Sequence, residues 1–273
     1  RSYSSAASDV YKRQLFTLPP KLFFFDLDFS AYERVFGFSK FLKFDPSYSE
    51  LFLTSRIIDS LIIGLGSSSL TLIIGVYAGY YISRVNFKFK RYLIISILSA
   101  RMMPLVSIAI PIYFVYEKIN LLDTYIGIIF VHTFINLPLA VLLLKSFFDE
   151  VPKQIDENAY IDGASKIKIL HRLVIPCAKS GMAVTFILSL IFSWTEFICA
   201  LMIGQMNVKT IPVQASILKT TPSWDMMAAF TTISIIPVFI LILMVKKHFV
   251  RGLTLGTVKA VSYTHLTLPT NTT

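Results

Sequence analysis

The residues whose pattern suggests chemistry lie in 149–180, DEVPKQIDENAYIDGASKIKILHRLVIPCAKS. Pro152 suits the first position of a helix, where a missing N–H costs nothing. The run Lys153–Asp162 then reads as a short helix, with Ile155 and Ala159 on one face. Gly163 ends it, because the residue after a helix often needs positive φ. Ser165 can cap a second helix, which runs through Lys168, Leu170 and Leu173 to Pro176. Ala159 and Ala164 keep the junction flat enough for close approach of another protein. Glu157 and Asp162 can bond partner side chains or cap helix N-termini. This is the chemistry of docking rather than of bond making.

A second set of candidates lies inside apolar runs. Arg101 falls nine residues into one of them, about 14 Å deep at helical rise. An ionisable group at that depth needs a partner or water, so its two readings are a translocation path and a bond to a neighbouring helix's carbonyls. Glu196 lies about 24 Å along a later run, an offset that argues against a direct Arg101–Glu196 pair. Trp194 and Phe197 could stack on a sugar ring, or pack as belt aromatics. His132 reads as a satisfied helix-interface residue. No His, Cys or carboxylate set has metal-ligand spacing. Cys177 and Cys199 imply no disulfide framework. The chain has no G-x-x-x-x-G-K-[ST] stretch, hence no phosphate cradle of its own, and no catalytic residue is expected.

The elements that must position these residues are membrane spans. Of 273 residues, 55% are hydrophobic and only 15% charged, and the mean hydropathy is +0.66. An ordinary soluble domain carries about 25% charged residues, so a soluble enzyme is disfavoured. A spanning helix needs about 20 largely apolar residues. Five stretches qualify: 57–82, 92–116, 124–144, 180–203 and 226–245. These runs are too long for barrel strands and lack alternation. The expected fold is an all-α, polytopic bundle of transmembrane helices.

Charge sets the expected orientation. Residues 84–91 hold four basic residues and 145–179 hold six, whereas 117–123 hold one and 204–225 hold two. Dense and sparse loops alternate, as the positive-inside rule requires. The 84–91 and 145–179 loops and the C-terminal tail, 251–260, are therefore expected in the cytoplasm. Segment 15–56 is expected outside, which implies one further span upstream and six in all. Residues 1–14 and 261–273 resemble translated sequencing-adapter read-through and are set aside. They account for three basic residues and one acid, so the net charge of +10 becomes +8.

The 157–176 stretch resembles a known signature. Glu157, Ala159, Gly163, Leu173, Ile175 and Pro176 follow the pattern E-A-A, three residues, G, nine residues, I-x-L-P, with Asn158 at the second alanine and Leu173 at the isoleucine. This is similar to the membrane subunits of binding-protein-dependent ABC importers (type I). The resemblance covers about 15–260, with 57–250 as the transmembrane domain. It includes Trp194-Thr195-Glu196-Phe197 and the ending RGLTLGTVK at 251–259, which looks like the carbohydrate branch, specifically the maltose-type second permease subunit.

The resemblance implies the rest. The loop would be a coupling helix seated in a groove of a cytoplasmic ABC ATPase dimer, with Glu157, Ala159, Asp162, Gly163, Ala164 and Pro176 at the contact. ATP and Mg would be bound by that partner, and this chain would hold no cofactor. A second permease subunit would complete the path as a heterodimer, and an external solute-binding protein would deliver a sugar or oligosaccharide. Arg101, Trp194, Glu196 and Phe197 would be candidates for the path. The chain would be multi-pass in a bacterial inner membrane, among lipids, with no nucleic-acid partner. Two alternatives stand beside this: the same machinery for a polyol phosphate, peptide or amino acid, or a secondary transporter driven by an ion gradient. The latter needs carboxylates or unwound helix pairs at the midplane, where only Glu196 offers itself.

Overall fold

The structure is a computed structural model that describes residue 32 and residues 53–204, 207–218 and 224–257. The expectations for 1–14 and 261–273, for nearly all of 15–56, and for 258–260 lie outside the described residues. Within them the chain is helical: α1 Leu53–Arg84, α2 Lys90–Arg101, α3 Leu105–Lys118, α4 Tyr125–Glu150, α5 Lys153–Ile161, α6 Lys166–Thr195, α7 Ile198–Ile203, α8 Ile211–Leu218 and α9 Trp224–Thr257. Only helices keep every backbone group bonded in hydrocarbon without a closed barrel.

Four segments among the described residues are long and apolar enough to cross a membrane: α1, α4, α6 and Met227–Val245 of α9. A fifth exists if α2 and α3 count as one span, but the two are bent by 88°. The sequence reads 92–116 as one run, and the structure breaks it at Met102–Pro104. A residue before proline is pushed out of the α region, and Pro104 itself, at ψ 130°, starts α3 as an extended N-cap.

α1, α4 and α6 form the centre, with α9 laid on α6. Close approach explains the small residues of α1. A Cβ on Gly79 would sit 3.0 Å from the backbone nitrogen of Lys145 and 3.2 Å from the carbonyl of Val141. Gly64 and Gly66 instead leave room for the side chains of Leu190 and Ile129. Without a hydrophobic drive between helices in lipid, such backbone proximity carries the association.

The span expected to begin at 180 begins at Lys166 instead. Ser165 Oγ accepts from the backbone N–H of Lys168 and starts α6, which runs unbroken to Thr195. Pro176 is accommodated because residues Leu170–Val174 form a π turn, in which the Ile175 N–H bonds the Leu170 carbonyl. The wider turn moves the preceding carbonyls away from the proline ring. The loop helix and the membrane helix are therefore joined without a flexible link.

Candidate functional site

At one end of the bundle α5 and the start of α6 form a fixed protrusion. The α5 helix closes with a paired cap: Gly163 N–H bonds the Tyr160 carbonyl at 3.1 Å and Ala164 N–H bonds the Ala159 carbonyl at 3.0 Å. This Schellman arrangement needs a left-handed residue, and Gly163 has φ +78°. Ala159 and Ala164 are half-buried against a core of Phe148, Val151, Ile169, Leu170 and Val174. Glu157, Asp162, Gly163 and Pro176 are exposed, and nothing stands within 4 Å of a Cβ built on Gly163. The outer surface also presents Tyr160, Ile161 and Ile167, with Ile161 84% exposed.

The protrusion is clamped to α1 by residues that sequence reasoning missed. Tyr80 Oη donates to Asp156 Oδ1 at 2.6 Å, and Asp156 Oδ2 lies 2.9 Å from Arg84 Nη2. Arg84 further donates to the carbonyls of Phe148 at 2.9 Å and Val151 at 3.1 Å. Ser83 Oγ donates to Asp149 Oδ1 at 2.6 Å, Asp149 also meets Lys145, and Tyr77 Oη lies 3.0 Å from His171 Nε2. Tyr77, Tyr80 and Arg84 are spaced three and four apart and so share one face of α1. That spacing was the available signal, but their partners lie 64 to 94 residues away.

A second polar arrangement lies inside the bundle. Ser67 of α1 donates to Ser193 of α6 at 2.9 Å, and Ser193 lies 2.7 Å from His132 Nδ1. His132 Nε2 lies 3.2 Å from Glu196 Oε2, within ion-pair reach though off hydrogen-bond geometry. Glu196 is not inside a helix. α6 ends at Thr195, Glu196 is extended at ψ 129°, and its two carboxylate oxygens accept from Cys199 N–H at 2.9 Å and Ala200 N–H at 3.0 Å. The carboxylate thus caps α7, where negative charge is favoured. The sequence reads 180–203 as one span and misses this break.

Arg101, Glu196 and Phe197, with His132, Asn136, Phe192 and Thr195, line one cavity of about 350 Å³. Arg101 does not pair with Glu196. Its Nη1 donates to the Ile135 carbonyl at 3.1 Å, and its guanidinium lies 4.9 Å from the Phe192 ring centroid. Ile135 sits three residues before Pro138, within the turn of α4 that the proline crowds, so Arg101 bonds backbone beside a proline inside an otherwise continuous helix. Trp194 is not in this lining. It is 3% exposed, packed with Leu53, Ile211, Ala229 and Phe230, and its Nε1 donates to the Ser234 carbonyl at 3.4 Å.

The described residues form a polytopic helical bundle, with an end-loop bonded to α1 and a cavity that Arg101, His132 and Glu196 help to line. The chain belongs to the family of binding-protein-dependent transport system inner membrane components, whose model matches residues 71–255. It is 30% identical to the sulfoquinovosyl glycerol transport system permease protein of Agrobacterium fabrum, over 78% of this chain and 76% of that protein. It is 32% identical to the trehalose/maltose transport system permease protein of Thermococcus litoralis, over 74% of each. Its fold matches a bacterial ABC transporter involved in import of the acidic polysaccharide alginate, with TM-score 0.65 and 24% identity over 82% of this chain and 81% of that one.

Proposed function

We propose that this permease takes up a sugar or oligosaccharide, delivered by an external binding protein, and that the 153–176 protrusion receives the stroke of a cytoplasmic ABC ATPase dimer, which holds the ATP and Mg. The carbohydrate assignment is supported by the transport systems for which the relatives are named. A second permease subunit would complete the path. The chain would lie in a bacterial inner membrane, with the α5 loop and the C-terminus cytoplasmic.

One observation supports the coupling role: an exposed apolar tip, Tyr160, Ile161 and Ile167, stands on a base bonded to α1 and α4 through Asp156 and Arg84. Exposed apolar patches rimmed by polar residues mark contact surfaces. Force on the tip passes through Asp156 and Arg84 to α1, through Phe148 to α4, and along α6 without a joint. Such rigid coupling suits a bundle that switches between two packed states.

The test is uptake of radiolabelled trehalose, maltose and sulfoquinovosyl glycerol by cells expressing the full system, together with co-purification of the ATPase. Gly163→Val adds strain of about 1 kcal/mol or more at a positive φ without touching the core. Glu157→Lys reverses charge on the exposed face. Both should reach the membrane normally, lose uptake and retain less ATPase. Wild-type uptake and ATPase retention in Gly163→Val would remove the coupling role from this loop. Uptake by the isolated chain driven by an ion gradient would replace the ATPase altogether.

A further inference from the structure

The turn between α1 and α2 reads RVNFKFKRY over 84–92, and no acidic residue occurs from 84 to 101. Lys88 and Arg91 are exposed, and among the described residues neither forms an ion pair. Arg84 is committed to Asp156, and Lys90 Nζ donates to the Val85 carbonyl at 3.3 Å. Asp149 is already held by Ser83 and Lys145. Two cations are thus left without a partner.

Aromatic rings flank them. Tyr81 lies against Phe87 with centroids 6.3 Å apart, and Phe89 against Tyr92 at 6.4 Å. Tyr81, Phe89 and Tyr92 are exposed. Amphipathic rings beside cations sit where headgroups meet hydrocarbon. The chain on either side of the turn, at Tyr81, Ile82 and Leu93, lines a cavity of about 560 Å³, within the range of small-ligand sites. Ile97, Arg101 and Pro138 belong to the same lining. Apart from Ser96 and Arg101 its lining is hydrocarbon or aromatic, and Arg101 is already bonded to Ile135.

We propose that this groove is an anionic phospholipid site, with one acyl chain along α2 in the cavity and the phosphate on Lys88 and Arg91. The two halves of the site match the two halves of one molecule. Charge complementarity selects an anionic headgroup over a zwitterionic one, since each basic residue near a membrane surface adds attraction to anionic lipid. The cavity selects a lipid over a free phosphate, which would leave the apolar wall bare.

The experiment is native mass spectrometry of the full chain purified in detergent and incubated with phosphatidylglycerol, phosphatidylcholine of the same acyl chains, or glycerol 1-phosphate. Phosphatidylglycerol should be retained about tenfold better than phosphatidylcholine, and glycerol phosphate should neither bind nor compete. Lys88→Gln with Arg91→Gln should abolish the preference between the two lipids. Ser96→Trp, which fills the exposed wall of the groove, should lower retention of phosphatidylglycerol by a similar factor. Thermal melting of each variant in detergent, unchanged from the parent, shows that the bundle is intact; if Ser96→Trp melts early, Leu93→Trp replaces it. Equal retention of the two lipids, a preference surviving Lys88→Gln/Arg91→Gln, wild-type retention in the folded groove variant, or displacement by glycerol phosphate would each overturn the assignment.

Discussion

Asp156→Ala removes the centre of the clamp between the α5 protrusion and α1. The side chain gives one carboxylate oxygen to Tyr80 at 2.6 Å and sets the other 2.9 Å from Arg84. Arg84 and Asp156 are 11% and 15% exposed at their side chains, so solvent screens the pair only in part. A hydrogen bond to a charged group contributes about 1.5–3 kcal/mol. Arg84 loses its counter-ion but keeps hydrogen bonds to the carbonyls of Phe148 and Val151. The loss is then near the lower end, about 2 kcal/mol, and it falls on the docking of α5 rather than on the bundle. That is about thirtyfold in the population of the undocked loop. Hydrogen exchange of the 153–164 amides, followed by mass spectrometry in detergent, should accelerate by about that factor, while amides of α1 and α4 keep parental protection. Uptake should fall, because a loose protrusion transmits less of the stroke. Exchange within about threefold of the parent would refute the clamp. An equal acceleration throughout α1 and α4 would show that Asp156 supports the whole bundle instead.

Three further outcomes are expected. His132→Leu and Glu196→Gln should act non-additively on the melting temperature, because the two side chains lie 3.2 Å apart; a simple sum of effects would remove the coupling between the two. Gly181→Ala places a Cβ 2.2 Å from the Phe147 ring, which should cost about 1–3 kcal/mol and be relieved by Phe147→Ala, as read by thermal unfolding. Arg101→Met should leave insertion intact but remove the bond to the Ile135 carbonyl beside Pro138, raising exchange of amides around Pro138; unchanged exchange there would assign Arg101 no role in holding α4 at that proline.

The apolar spans were legible in the sequence because lipid leaves the backbone no other solution, so length and composition alone identify them. Local caps were legible for a similar reason. Gly163 between two helical patterns and Ser165 before the next one act through neighbours a few residues away, and both sit as local rules require. Helix ends set by wider context were not legible. Pro176 reads as a stop, yet a π turn carries α6 past it; Pro104 reads as tolerated inside one span, yet it turns the chain by 88°. The roles of single polar residues belonged wholly to tertiary structure. Nothing near Glu196 in sequence announces that its carboxylate lies 3.2 Å from the ring of His132, 64 positions earlier, and nothing near Trp194 says that its ring is buried against α9 rather than turned to the cavity. Asp156 and Arg84 read as ordinary loop charges until packing of α1 against α4 brings them within 2.9 Å. Periodicity and capping are properties of adjacent residues, whereas the partner of a buried polar group is chosen by which helices meet, and in lipid that choice rests on small residues and side-chain fit spread over the whole bundle.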